Sequence, residues 1–405
     1  MQLHILNNTI LREAALQRDA VYISISLLAL LLFLPVSLGL LTTTVTLSSS
    51  GSITGAGAPG LNYIISQSNG INYVKNATSG VTLYSSSDAN SAFSVAFGYV
   101  SSGGSLTVKA GTYTGTTSFV MNGCNNVNVV FEEGAILTIA NYVNKEVLLL
   151  RESSYNTFTN LHIDGNKAYQ KTPMPNEAIN GITVSTGSYN IFQDSYITNC
   201  KRSGIEIFGN GLSYPAHGNI IRNNLITYCG WNGVTVGYGA EVANTQVVNN
   251  EIAYISDVGI STYGDYTVVD NNYVHDINGT DGSPKYGGAT ELNNSHRGIA
   301  QEGGTGPSIS NNIVTNCDGI GICFDVGNMS TIKGNSITYC GIGISGANTG
   351  NNVVTQNTIN NWYSVDGRFG ISSGICVYSG TNTTVSFNTL ICNSTLEAKS
   401  VVLYN

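Results

Sequence analysis

Short apolar runs punctuated by Asn and Gly fill most of the chain, and the clearest of them come in pairs. Residues 311–345 read NNIVTNCDGIGICFDVGNMSTIKGNSITYCGIGIS. Asn312, Ile313, Cys317, Gly321 and Ile322 recur as Asn335, Ser336, Cys340, Gly343 and Ile344. Each phrase predicts two short strands, one at I-V-T or I-T-Y and one at G-I-x-I. Asn and Gly supply turns that need positive φ. The Asn mark repeats at 224, 250, 272, 312, 335, 357 and 388. A unit of roughly 22 residues, built of short strands without helices, predicts one coil of a parallel β-helix. Leucine-rich repeats have a similar period, but their L-x-x-L-x-L pattern is absent. Equivalent residues of successive coils then stack about 4.8 Å apart. The recurring Asn is expected to form an internal ladder at one turn, a structural role.

Other patterns bound this repeat. Residues 1–20 form a polar tail and residues 21–41 carry no charge, which is long enough for a transmembrane helix. Arg12 and Arg18 precede the span, so the tail is expected in the cytoplasm and the body outside, on a single-pass anchor. A cleaved signal peptide ending near Ser37-Leu38-Gly39 is the alternative, and it exports the body equally. Residues 42–60, rich in Ser, Thr and Gly, read as a linker. Residues 61–104 hold strands and one amphipathic helix. Ala89, Ala92, Phe93, Ala96, Phe97 and Val100 share its apolar face, Ser87 caps its start, and Gly103-Gly104 stops it. Such a helix can cover the open end of the first coil. Residues 105–405 are the β-helix. The expected fold is therefore all-β, a single-stranded solenoid with a capping helix and an N-terminal transmembrane helix.

The helix, then GGSLTVKAGTYT, NVNVVFEEGAILTI and LHIDGN, resemble the opening coils of right-handed parallel β-helix proteins of the pectate-lyase-like superfamily. The resemblance runs over most of the chain from Asn62 and implies the fold. It implies little about activity, because this fold carries lyases, hydrolases, epimerases, viral tailspikes and non-catalytic surface proteins. No activity transfers by motif. The N-T-D, D-D, G-H-G and R-I-K series of polygalacturonases is missing, with Ala216-His217-Gly218 only a near match. Tyr263-Gly264-Asp265-Tyr266 shares two residues with the Y-G-x-D-P-H of alginate epimerases. Arg202 and Arg297 are candidates for the arginine of calcium-dependent pectate lyases, without a motif around them.

Composition narrows the partners. A net charge of −8 without a basic cluster argues against nucleic acid. Hydrophobic residues at 42% argue against disorder, although only 10% are charged. Sequons at Asn76, Asn278, Asn293, Asn328, Asn382 and Asn393 suit an exported glycoprotein. Cys200, Cys229, Cys317 and Cys340 share one repeat position and are expected to point inward as buried thiols. Asp164 in I-D-G-N reads as a turn residue, and His162 and His275 as strand histidines without catalytic roles.

In the G-I-x-I strand, alternation turns Ile inward and the intervening residues outward. One outward column is Glu206, Thr235, Ser261, Ala300, Cys323, Ser345 and Cys376. The next is Phe208, Gly237, Tyr263, Glu302, Asp325, Ala347 and Tyr378. An exposed face of polar and aromatic groups suits a polysaccharide, with Glu206, Phe208, Tyr263 and Tyr378 as binding residues. Glu302 and Asp325 fall on adjacent coils of one column, close enough for an acid–base pair or for a calcium ion. His296 and Arg297 end an insertion and are expected to join them, Arg297 to grip a uronate. That register requires Gln301 to point inward. No other cofactor is implied. Two readings stay open: an exported, membrane-tethered polysaccharide lyase or glycoside hydrolase, and a non-catalytic glycan-binding or structural surface protein.

Overall fold

The computed structural model describes residues 62–171, 179–209, 215–237, 241–279, 296–363, 373–378, 380–392 and 399–404. The expected tail, span and linker, residues 1–60, lie outside the described residues, as do the insertions at 280–295 and 364–372. No helix among the described residues is long and apolar enough to cross a membrane.

Strands Asn62–Ser68, Ile71–Asn76 and Thr82–Ser86 pair antiparallel, and the first joins Gly104–Val108 in parallel to start the coils. Helix Ala89–Val100 buries all six residues of its apolar face. Phe93 sits at its centre, edge-on to Tyr113 at 5.4 Å and Phe119 at 4.8 Å. The helix thus closes the end of the first coil. Its N-cap is Asp88, one residue after the expected Ser87: the Asp88 carboxylate accepts from the backbone N–H groups of Asn90 and Ser91. A carboxylate adds charge to the same hydrogen bonds, which favours it beside the positive helix end. The Ser91 hydroxyl and these amides hold its pKa below the ordinary value despite some burial. Asp88→Ala should cost about 1 kcal/mol in chemical denaturation. Because the folded pKa is depressed, that contribution exists above the unfolded carboxylate pKa and is lost as pH falls through the folded value.

Beyond the cap, strands stack in parallel, coil upon coil. Besides a two-stranded sheet of Ala216–His217 and Val242–Ala243, the described residues form two large sheets, one of 14 strands. The other has 20, because long strands such as Ile313–Asp325 and Ser336–Ala347 turn a corner and join two faces. The Asn marks form a continuous ladder. From Asn224 through Asn250, Asn272, Asn312, Asn335 and Asn357 to Asn388, each side-chain amide donates to the next Oδ1 at 2.9–3.0 Å. Its second hydrogen goes to a backbone carbonyl of the preceding coil, as from Asn312 to Val269. The ladder therefore satisfies buried donors and acceptors that a turn would otherwise leave unmet.

The inward columns are Ile, Val, Phe and Cys. Cys200, Cys229, Cys317 and Cys340 are buried, with Cys317 directly opposite Cys340. The repeated Gly of G-I-x-I has a steric cause. A Cβ on Gly298 would lie 2.4 Å from Val314 Cγ1 and 2.6 Å from the Gly321 carbonyl oxygen. The next coil approaches too closely for any side chain. Positive φ is not confined to Asn and Gly: Tyr228 and Tyr254 take φ of 56° and 57° on successive coils and stack at 4.8 Å. Asp164 accepts from the Asn166 N–H at 2.9 Å, an Asx turn.

Candidate functional site

The outward register follows the strand pairing: Glu206, Thr235, Ser261, Ala300, Cys323, Ser345 and Cys376 are successive partners. Their exposure corrects the expectation of an open polar face. Glu206 is 4% exposed and the other six at most 1%. Flanking side chains close over the column. Val258, Ile320 and Ile342 pack with Ala300 and Cys323 in an apolar cluster outside the main core. Glu206 is likewise covered: Asn180 Nδ2 donates to its Oε2 at 2.5 Å and Arg202 Nη1 at 3.4 Å. A buried, paired Glu206 is part of the scaffold and offers no surface to a sugar.

In the neighbouring column Gly237 and Ala347 are buried, while the larger residues keep some exposure. Phe208 and Tyr263 are half-buried and Tyr378 is 38% exposed. These three belong to well-separated coils, with Glu302 and Asp325 between Tyr263 and Tyr378. Gln301 is fully buried and donates to the Gly303 carbonyl while accepting from Ser330 Oγ at 2.6 Å. The inward polar residue is thereby satisfied, and Glu302 lies opposite Asp325.

Arg297 joins the two carboxylates. Its Nη2 reaches Glu302 Oε1 at 2.5 Å and its Nη1 lies 4.0 Å from Asp325 Oδ2. The planar guanidinium then keeps those carboxylate oxygens within about 9 Å of each other. Ser261 Oγ donates to Glu302 Oε2 at 2.5 Å, and Cys323 Sγ donates to Asp325 Oδ2 at 3.0 Å. His296 is buried, at φ 68°, and contributes through its backbone.

One further carboxyl belongs here, and the sequence reading passed over it. Asp257 stands one coil before Arg297, whose N–H donates to the Asp257 carbonyl at 2.9 Å. Burial raises the Asp257 pKa, the Glu302 charge adds to this, and Arg297, the Trp231 indole and the His296 N–H only partly offset it. Burial pushes Glu302 up too. There, the Arg297 charge and hydrogen bonds from Ser261, Tyr263 and Arg297 outweigh it, and its pKa falls below the ordinary value. Two carboxyls beside one guanidinium are thus driven in opposite directions, the arrangement that separates an acid from a base. The signal for Asp257 was its offset. Arg202, Trp231, Asp257 and His296 each stand four residues before a member of the buried column. On that strip Arg202 lies 4.2 Å over the Trp231 ring.

The calcium position foreseen between Glu302 and Asp325 is taken by the Arg297 guanidinium. The described residues gather no group of three or more His, Cys, Asp and Glu side chains that fits a metal ion. A dication placed among the described residues here would face a fixed positive charge, and that donor set does not suit calcium.

Residues 72–275 and 242–404 match the family model of the right handed beta helix region. The chain belongs to the right-handed β-helix family. Solved structures of similar shape include a mutant DFA-IIIase from Arthrobacter chlorophenolicus A6 in complex with DFA-III. It has a TM-score of 0.53 and 13% identity over 74% of this chain and 76% of that one. The ORF18 protein of Geobacillus virus E2 has a TM-score of 0.52 and 15% identity, covering 74% of this chain and 57% of the viral one. The Dettilon tailspike gp208 has a TM-score of 0.50 and 14% identity, covering 78% and 64%. At these identities the likeness is one of fold. A comparison of the sequence with curated proteins gives no match. Within the right-handed β-helix family, the activity of this chain has to be argued from its own site.

Proposed function

We propose that this protein hydrolyses a polysaccharide at the Asp257–Arg297–Glu302 cluster. The observation that carries the reading is the Arg297 guanidinium set between Glu302 and Asp325, 2.5 Å and 4.0 Å away, with the Asp257 and Glu302 pKa values displaced in opposite directions. In this reading Asp257 gives its proton to the glycosidic oxygen as the C–O bond breaks. Glu302 takes a proton from the attacking water, whose oxygen bonds to the sugar carbon. Arg297 keeps Glu302 ionised and close, while Asp325 balances the guanidinium from the next coil. Tyr263, whose hydroxyl bonds Glu302, borders the site and offers its ring to a sugar. The DFA-III complex of a neighbour of the same shape supports a carbohydrate as the ligand class.

The test is an assay of the full chain on a panel of neutral and acidic polysaccharides, following new reducing ends and unsaturated products separately. Reducing ends without unsaturated ends support hydrolysis. Unsaturated ends replace it with a lyase. Binding without any turnover favours a glycan-binding surface protein, in which Arg297 merely ties two coils together.

A further inference from the structure

The charge balance of the site bears on its substrate. Glu302 and Asp325 face a single guanidinium, Arg297 Nη2 at 2.5 Å from one and Nη1 at 4.0 Å from the other. Two carboxylates thus confront one cation. Among the described residues from 204 to 333, the other Lys and Arg side chains are Arg222 and Lys333. Both stand on the 14-stranded sheet, away from this face, and Arg222 is held by Gln193 at 2.6 and 3.0 Å. Arg202 pairs with Glu206 and covers Trp231. In sequence, the insertion 280–295 carries Asp281, Lys285 and Glu291, and 364–372 carries Asp366 and Arg368, so neither adds net positive charge. The chain as a whole is at −8.

A polyuronate brings one carboxylate per sugar. To bind here it would have to take Arg297 from Glu302, leaving a largely buried carboxylate without its counter-charge. It would also approach a negative surface, where like charge slows association and lowers affinity. An uncharged sugar meets neither cost: its hydroxyls donate to the carboxylates, and its CH faces lie on Tyr263. We propose that the site takes a neutral glycan and rejects uronate polymers. This reverses the expectation that Arg297 grips a uronate, and it rests on the proposed action on polysaccharide.

The experiment pairs a homopolymeric uronan with its own carboxyl-reduced product, so that only the charge differs. Binding of each to the full chain is measured by calorimetry or affinity electrophoresis at low and high salt. The reduced polymer should bind at least tenfold tighter, and added salt should narrow the gap by screening repulsion. Asp325→Asn, which removes one negative charge, should narrow it too. A uronan that binds more tightly at low salt and weakens with salt overturns the inference while leaving action on polysaccharide intact. Failure of both polymers, and of every neutral glycan in the hydrolysis panel, overturns both.

Discussion

Glu302→Gln should lower kcat/KM on the substrate glycan at least a thousandfold while leaving the fold in place. Removal of a group that carries proton transfer costs about two to four powers of ten. Gln retains the length of the side chain: its carbonyl oxygen can still accept from Arg297, while its amide faces the Ser261 hydroxyl, which can turn to accept, so the coil keeps its packing. Its amide cannot receive a proton from water. Unchanged circular dichroism and melting, together with lost turnover and retained glycan binding, is the expected set of results. A variant that keeps more than a tenth of the parent kcat/KM would remove Glu302 from the chemistry.

Asn312→Ala should destabilise the protein by about 4 kcal/mol, far beyond a typical surface substitution. Asn312 is fully buried at the middle of the ladder. Its Oδ1 accepts from the Asn272 backbone N–H at 2.9 Å and the Asn272 amide at 3.0 Å. Its own amide donates to the Val269 carbonyl and to Asn335 Oδ1. Truncation strips partners from both neighbouring coils at once, and each buried group left unmet costs about 1–3 kcal/mol. Asn312→Asp should be at least as damaging at neutral pH: it can accept from Asn272, but it turns carboxylate oxygens toward Val269 and Asn335. Urea unfolding decides this, and a loss below about 1 kcal/mol would mean that ordered water or coil movement replaces the ladder.

The ladder was legible because its cause is local. One residue type, at one position per coil, satisfies one recurring set of backbone groups. The outward columns were legible for the same reason, since strand alternation fixes them coil by coil, and Gln301, polar yet inward, obeys the register through its bond to Ser330. Exposure was not legible. Alternation says which way a side chain leaves the sheet, not what folds over it, and Val258, Ile320 and Ile342 cover Ala300 and Cys323. Asp257 escaped notice because its partner Arg297 is 40 residues away in sequence, across an insertion that breaks the period. The helix cap was misplaced by one residue because Ser87 and Asp88 are both good caps, and only the backbone geometry at Asp88 chooses between them.

The pH dependence of kcat/KM, compared between the parent and Asp257→Asn, tests the central claim most directly. Hydrolysis needs Glu302 ionised and Asp257 protonated. Activity should rise with pH through the depressed Glu302 pKa, below the ordinary glutamate range, and fall through the raised Asp257 pKa, above the ordinary aspartate range. The result is a bell bounded by these two displaced pKa values. Asp257→Asn should cut the maximum at least a hundredfold and abolish the alkaline limb. A variant with the parent's alkaline limb and near-parental rate would contradict the assignment of Asp257 as the acid, and with it the catalytic reading of this cluster.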